Sequence, residues 1–183
     1  NYADPNDPTT FRGAAFTRDL MRSLKKDVPW ILMEQAPNDV NWRPTNAPKA
    51  PGQMKALSIQ AVARGADAIN FFQWRQSRRG SERFHSGMVP HAGTNTRTWR
   101  EITDLGETLK SLPELGSSGS GARVAIAFDW EARWALDAPD HPGEIDYGAL
   151  IPRWHAALHR QQILVDLVHP AEDLSGYDLV IAP

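Results

Sequence analysis

Between Thr9 and Lys26 the apolar residues Phe11, Ala15, Phe16, Leu20, Met21 and Leu24 recur at three- and four-residue intervals, and Pro29 follows. That spacing puts them on one face of an amphipathic helix, which the proline closes off. Trp30-Ile31-Leu32-Met33 is instead continuously apolar and runs into Glu34-Gln35 and Pro37, the pattern of a fully buried parallel strand. Residues 35 to 51 carry four prolines among Asn, Asp and Trp with no period, which reads as a long loop. Helical spacing returns from Gly52 to Arg64 through Met54, Leu57, Ile59, Ala61 and Val62, with Gly65 as its C-cap. Ala68-Ile69-Asn70-Phe71-Phe72 is a second buried strand, Gln73 to Thr96 a second long polar loop, and Arg97 to Leu112 a third helix.

This alternation of helix and strand predicts parallel strands joined by crossovers, either in a doubly wound sheet or in a (β/α)8 barrel. The connections entering the strands, Lys26 to Pro29 and Arg64 to Asp67, are short, while both loops leaving them are long and rich in polar and aromatic groups. Elaboration at the C-terminal ends of the strands favours the barrel, whose chemistry sits at that end. Pro113 to Gly121 is rich in Gly and Ser and reads as a boundary. Beyond it come a strand at Arg123 to Phe128, a helix at Tyr147 to Gln161, and strands at Ile163 to Val168 and Tyr177 to Ala182, again a parallel α/β pattern.

Composition narrows the function classes. The 183 residues include 20 Lys and Arg against 22 Asp and Glu, a net charge of −2, without a basic run that would follow phosphates. Nucleic acid is therefore a poor partner. No apolar run approaches the roughly 18 residues of a membrane span. The absence of cysteine excludes disulfides, thiolate metal sites and a cysteine nucleophile, and fits a reducing compartment. The opening Asn1-Tyr2-Ala3-Asp4-Pro5 resembles neither a signal peptide nor an initiator, and the apolar Leu179 to Ala182 closes the chain, so the sequence reads as part of a longer protein. Seven Trp residues can serve a core, but flat indole rings also stack on the C–H faces of sugars.

Glu34 is the leading candidate for chemistry, because a carboxylate leaving a buried strand is held at the catalytic end of a sheet. A structural Glu pairing with an Arg is the alternative. Trp42 lies in a loop with Asn38, Asp39, Asn41 and Asn46, a set that offers an apolar plate plus amides to a polyhydroxylated ring, although a lone loop Trp also serves packing. The second loop carries Arg75, Arg78, Arg79, Glu82, His85 and His91; Glu82 and His85 at i, i+3 could converge on sugar hydroxyls or on a metal. The non-helical, Gly- and Ser-rich setting argues against a metal, and none is predicted. His155 and His159 lack the intervening Glu of a zinc-protease motif and are assigned to a solvated helix face. Asp129, at the end of a strand, is read as structural.

Ile31-Leu-Met-Glu34-Gln, Asn41-Trp42, Lys49-Ala-Pro51-Gly52, Phe71-Phe-Gln-Trp-Arg75, Gly80-Ser-Glu82-Arg-Phe-His85, His91-Ala-Gly93 and Ala122-Arg-Val-Ala-Ile-Ala-Phe-Asp129 together resemble the glycoside hydrolase family 42 β-galactosidases. The resemblance runs in order along nearly the whole chain. It implies the last two βα units of a TIM (β/α)8 barrel over residues 1–115, a linker at 116–121, and over 122–183 the start of a flavodoxin-like α/β domain that mediates trimer contacts. It further implies that Glu34 is the nucleophile of a retaining β-galactosidase, that Trp42 lines the galactose subsite, and that Glu82 and His85 bind sugar hydroxyls. Such enzymes are cytoplasmic, form homo-oligomers and need no cofactor. A retaining glycosidase needs a second carboxyl group about 5 Å from the nucleophile, and the family's acid/base Glu has no counterpart here, so the chain alone is expected to be inactive. A non-catalytic association module and a barrel glycosidase of other sugar preference are the alternatives.

Overall fold

The computed structural model describes residues 7, 9–113, 120–139, 143 and 145–183. The expectations about Asn1–Pro5 and most of the 116–121 linker lie outside them. The chain divides into two compact units, one of residues 1–14 and 29–117, the other of residues 15–28 and 118–183.

In the first unit, β1 (Trp30–Gln35) and β2 (Ala66–Phe71) form a parallel pair connected through α2 (Gln53–Ala63), and α3 (Arg97–Ser111) follows the second loop. Gly52 enters α2 with φ 78° and Gly65 leaves it with φ 87°, conformations that cost a side-chain-bearing residue energy. The helices bury alternate turns: Met54 of α2 packs against Ile102 and Leu105 of α3, while Ala61 packs against Leu32 and Ala66 of the strands. One sequence expectation fails in part. The apolar run of β1 is not buried throughout, since Ile31 is 49% and Met33 70% exposed. A two-stranded sheet has two faces, and among the described residues α2 covers one, through Leu32 and Ala66.

The second unit has a three-stranded parallel sheet in the order β4–β3–β5, from Val165–Val168, Val124–Ala127 and Leu179–Ile181 respectively. α5 (Tyr147–Arg160) connects toward β4, and a short helix α4 (Trp130–Leu136), which the apolar spacing did not reveal, follows β3. The helix predicted at the N-terminal end, α1 (Thr10–Ser23), contributes its residues from Ala15 onward to this unit. Leu20, with Phe16 and Met21, joins a core of Ile126, Phe128, Tyr147, Ile151, Val165 and Leu167.

The same helix also closes a sheet edge. Val168 accepts the Phe128 N–H, so residues 166 and 168 face β3 and residues 165 and 167 face outward. The outward carbonyl of Val165 accepts from Arg22 (2.7 Å) and the outward N–H of Leu167 donates to Ser23 Oγ (2.9 Å). Arg22 also pairs with Asp19 and Asp166, and Asp19 holds His155 Nε2 at 2.7 Å. Both Asp19 and His155 are 1% exposed. His155 is thus a buried partner of a carboxylate and not part of a solvated face, while the neighbouring ring of His159 stacks on it at 5.9 Å. Tyr177 and Ser120 donate to the other oxygen of Asp166, each at 2.9 Å, and burial together with that carboxylate pushes the Tyr177 hydroxyl pKa up.

Candidate functional site

Parallel pairing sets Gln35 beside Phe71, so the two strands of the first unit end side by side and release their long loops at the same edge. Glu34 stands one residue before the end of β1 with an exposed side chain. Its neighbour Gln35 is fully buried and reaches Ser58 of α2; burial shifts by one residue between Leu32 and Gln35, where the pairing with β2 is irregular. The strand end is anchored by one side chain and presents the next.

The first loop is held by a polar knot. Asn38 donates its N–H to Ser86 Oγ (2.9 Å) and its side-chain amide to Thr98 (3.3 Å), and it accepts the Lys49 N–H (2.7 Å). Lys49, 2% exposed, directs its ammonium at the carbonyls of Ala36 (2.6 Å) and Asn38 (3.0 Å). Burial pushes its pKa down to about 8, against the attraction of Asp39 and with a further lowering by Arg43. Arg97 of α3 donates to the Lys49 carbonyl (2.8 Å) and pairs with Glu101.

The second loop folds back on itself. Met88 and Val89 donate to the carbonyls of Gln73 and Trp74, Gln76 donates to Val89, and Arg75 and Val89 form a parallel bridge. Gly87 sits where this closure is tightest: a Cβ there would lie 2.4 Å from Gln76 N and 2.8 Å from Arg75 C. A single 3₁₀ turn over Ser81–Phe84 presents Glu82 and leads to His85. His91 closes the base of the loop through Ser77 O (2.7 Å).

Of the residues singled out from the sequence, Trp42 is 57% exposed, next to Asn41, whose amide donates to Ser81 O (2.7 Å) and to Glu82 Oε2 (3.1 Å). Asn46 donates to Phe84 O (3.1 Å), and Ser86 donates its N–H to Asp39 O (3.1 Å). The two loops are therefore stitched together at the position of Trp42 and Glu82. His85 is 2% exposed, bonds Ser86 O through Nδ1, meets Phe72 edge-on at 4.9 Å, and leaves Nε2 without a hydrogen-bond partner. The exposed plate, the carboxylate and the imidazole thus stand on interlocked loops at the edge where β1 delivers Glu34. Such a surface can offer stacking, hydrogen-bond acceptors and a nucleophile to a polyhydroxylated ligand.

Sequence reasoning assigned no role to Lys49, Ser86, Gly87 or Thr98, which carry the loop architecture. Lys49 and Gly87 had visible signals: a lysine inside a proline-rich loop, and a glycine beside a His-Ser pair. Asp129 caps α4, accepting the Glu131 N–H at 3.0 Å, in keeping with a structural reading. Among the described residues, Asp129, Glu131 and His169 in the second unit form the group of potential metal ligands; Glu82 and His85 are not part of it. His169 Nδ1 already accepts the Ala171 N–H, which places the ring proton on Nε2, the nitrogen facing Asp129.

Residues 1–112 match the family model described as β-galactosidase (glycoside hydrolase family 42), and residues 122–183 match the model described as β-galactosidase trimerisation domain. A β-galactosidase of Arthrobacter sp is 47% identical over 182 residues, 99% of this chain and 26% of the relative. One of Geobacillus sp. (strain Y412MC61) is 47% identical over 185 residues, 100% of this chain and 27% of its own. The crystal structure of the β-galactosidase from Bacillus circulans sp. alkalophilus superimposes with a TM-score of 0.88 at 40% identity, covering 100% of this chain and 27% of that one. That from Rahnella sp. R3 does so with 0.87 at 43% identity over 97% of this chain. The chain thus spans about a quarter of the length of these relatives.

Proposed function

The chain belongs to the glycoside hydrolase family 42 β-galactosidases, and from that premise we propose that the protein containing it hydrolyses terminal β-D-galactosides with Glu34 as the nucleophile. The observation carrying this reading is the double hydrogen bond of Asn41 to Ser81 and Glu82, which locks the Trp42 loop to the Glu82 turn at the same strand edge as Glu34. Trp42 stacks on the sugar face, and Glu82 and His85 take its hydroxyls. His85 supports that role with a buried, unpartnered Nε2: the Ser86 carbonyl holds the ring proton on Nδ1, which leaves Nε2 to accept from a sugar hydroxyl.

In this proposal β1 and β2 are the last two strands of a TIM barrel, and the remaining barrel brings the acid/base carboxyl to about 5 Å from Glu34, the separation that retention through a covalent glycosyl-enzyme requires. Glu34 attacks the anomeric carbon as the partner carboxyl protonates the departing oxygen; water, deprotonated by that same partner, then frees the sugar. No cofactor enters these steps. The second unit starts a flavodoxin-like domain that takes part in homo-oligomer contacts, a reading supported by the trimerisation-domain match. We place the parent enzyme in the cytoplasm, in keeping with the absence of cysteine from these 183 residues.

The test is Glu34→Gln in the full-length enzyme. The swap keeps shape and removes the nucleophile, so turnover of a nitrophenyl β-galactoside falls roughly a thousand-fold or more; in Glu34→Ala, which vacates the space of the carboxylate, added azide restores part of it as the α-configured galactosyl azide. Near-normal turnover by the variant overturns the assignment. The 183-residue chain by itself, lacking the acid/base partner, gives no turnover.

A further inference from the structure

A lysine is rarely buried this fully unless its charge has a partner, and a methionine of equal length would fill the same space without the cost of desolvation. Lys49 is 2% exposed and its ammonium is spent on two carbonyls, those of Ala36 and Asn38. Both belong to the segment that has just left β1, where the chain no longer has a neighbouring strand to satisfy it. A point donor with three N–H groups can reach both at once, which no apolar substitute can do. The main chain of Lys49 is fixed as well, by Asn38 on one side and Arg97 on the other. Residues 36 to 49 therefore form a closed loop, its two ends drawn together by the Lys49 ammonium and the Asn38 amide, with Asn41 and Trp42 at its far part.

We infer that Lys49 is a positioning residue of the proposed galactosidase site, gathering the carbonyls behind Glu34 so that the 36–49 loop holds Asn41 and Trp42 against the Glu82 turn. The inference rests on that reading of the site. Lys49 does not touch the sugar; it acts through the loop.

Geometry gives the role and protonation tunes it. The charged groups acting on the ammonium are Asp39 and Arg43 of its own loop; from the elements packed beside it, Arg97 of α3, paired with Glu101, bonds the Lys49 carbonyl, and the uncharged Ser86 of the second loop accepts the Asn38 N–H. With a pKa near 8, the group turns neutral in mild alkali. A neutral amine keeps two N–H donors but loses charge assistance, which is worth about half the strength of each bond. The loop then loosens and sugar binding weakens.

The experiment is the pH dependence of kcat and KM for a nitrophenyl β-galactoside between pH 6 and 10, in the full-length enzyme and its Lys49→Met and Lys49→Arg variants, with Tm recorded alongside. In the unmodified enzyme KM rises several-fold through pH 8. Lys49→Arg, charged throughout, keeps the pH 7 KM up to pH 10. Lys49→Met has KM raised roughly tenfold already at pH 6 and no further rise, with Tm within a few degrees of the parent. A KM that is flat through pH 8 in the unmodified enzyme, a Lys49→Arg profile identical to it, or a wild-type KM in Lys49→Met overturns the inference. Should Lys49→Met fail to fold, the first two profiles decide alone. The underlying reading fails separately: an active Glu34→Gln enzyme removes the galactosidase assignment, whereas an inactive one with a flat KM profile in the parent removes only the role of Lys49.

Discussion

β4 buries all four of its residues, whereas β1 buries Leu32 and Gln35 and exposes Ile31, Met33 and Glu34, although both are short, predominantly apolar segments of parallel sheets. The two regions differ in how their edges and loops are finished. In the second unit, α1 supplies Arg22 and Ser23 to the outward backbone groups of β4, and a buried set of charges holds the helix there. In the first unit Gln35 and Ser58 are buried within β1 and α2, while Lys49, Ser86 and His85, of comparable burial, lie beyond the strand ends and shape loops. Buried polarity in one region closes a sheet edge; in the other it builds a surface. The cost of disturbing each should therefore be read by a different measurement, stability in the second unit and ligand affinity in the first.

The largest effect is expected at Asp19. Its removal leaves His155 without its carboxylate and Arg22 with only Asp166, in an environment nearly closed to water. Breaking a buried charge pair by deleting one partner costs about 3–5 kcal/mol, so Asp19→Ala lowers the urea midpoint steeply. A change below 1 kcal/mol would show that the network contributes no more than exposed ion pairs do.

Lys49 sharpens the contrast through the sign of its pH dependence. Its folded pKa of about 8 lies below the 10.5 of an unburied lysine, because burial penalises the charge. Below pH 8 the group is protonated in both states and the fold bears the full penalty. Between pH 8 and 10.5 the unfolded chain holds the extra proton, so stability rises with pH, and the gain is complete above 10.5. The total is at most about 3 kcal/mol. It appears as a rise in the difference in unfolding free energy between the parent and Lys49→Met over that window. Loop function is predicted to fall over the same window, so the two readouts move in opposite directions. A stability difference independent of pH from 7 to 11 would place the ammonium in contact with water.

What could be read in the sequence were features with a local cause. Periodicity placed α1, α2, α3 and α5 within a few residues, and the apolar runs placed all five strands, because the facing residues of each element lie close together in the chain. Glu34 was legible for the same reason, as a charge ending an apolar run. His155 was not: its partner Asp19 lies 136 residues away, and nothing near either residue announces the pairing. α4 is only seven residues long with little room for a period to repeat, and its cap, Asp129, was legible merely as a carboxylate at a strand end. The burial of Lys49 depends on carbonyls whose direction is set by the turn after β1, a property of the backbone path and not of side-chain type.

Gly87 tests whether the first unit's loops are as closely fitted as the second unit's core. The atoms an added methyl would meet are backbone, at 2.4 Å from Gln76 N and 2.8 Å from Arg75 C, so no side-chain rotation can relieve the clash. Overpacking of this kind costs about 1–3 kcal/mol. Gly87→Ala should also raise KM more than Tm loss alone accounts for, since opening the Gln73–Val89 closure displaces Glu82 and His85 together. A variant with wild-type KM and reduced Tm would show that the second loop is fitted for stability only.

The smallest effects compare one helix cap in each region. Thr96 opens α3 by accepting the Trp99 N–H at 3.4 Å, a long bond, whereas Asp146 opens α5 by accepting the Ala149 N–H at 2.8 Å and adds a negative charge at the helix N-terminus. Replacing a cap by alanine costs about 1 kcal/mol on average. Asp146→Ala should exceed that value, because the shorter bond and the interaction with the helix dipole are lost together. Thr96→Ala should fall below it, since the helix bond it loses is long, and the second bond of that hydroxyl, to the Gly93 carbonyl, constrains the loop more than the helix. Chemical denaturation of both variants gives the order directly. If Thr96→Ala proves the costlier, the hydroxyl's hold on the turn at Gly93 outweighs its work as a cap, and the end of the second loop is more tightly coupled to α3 than the bond lengths imply.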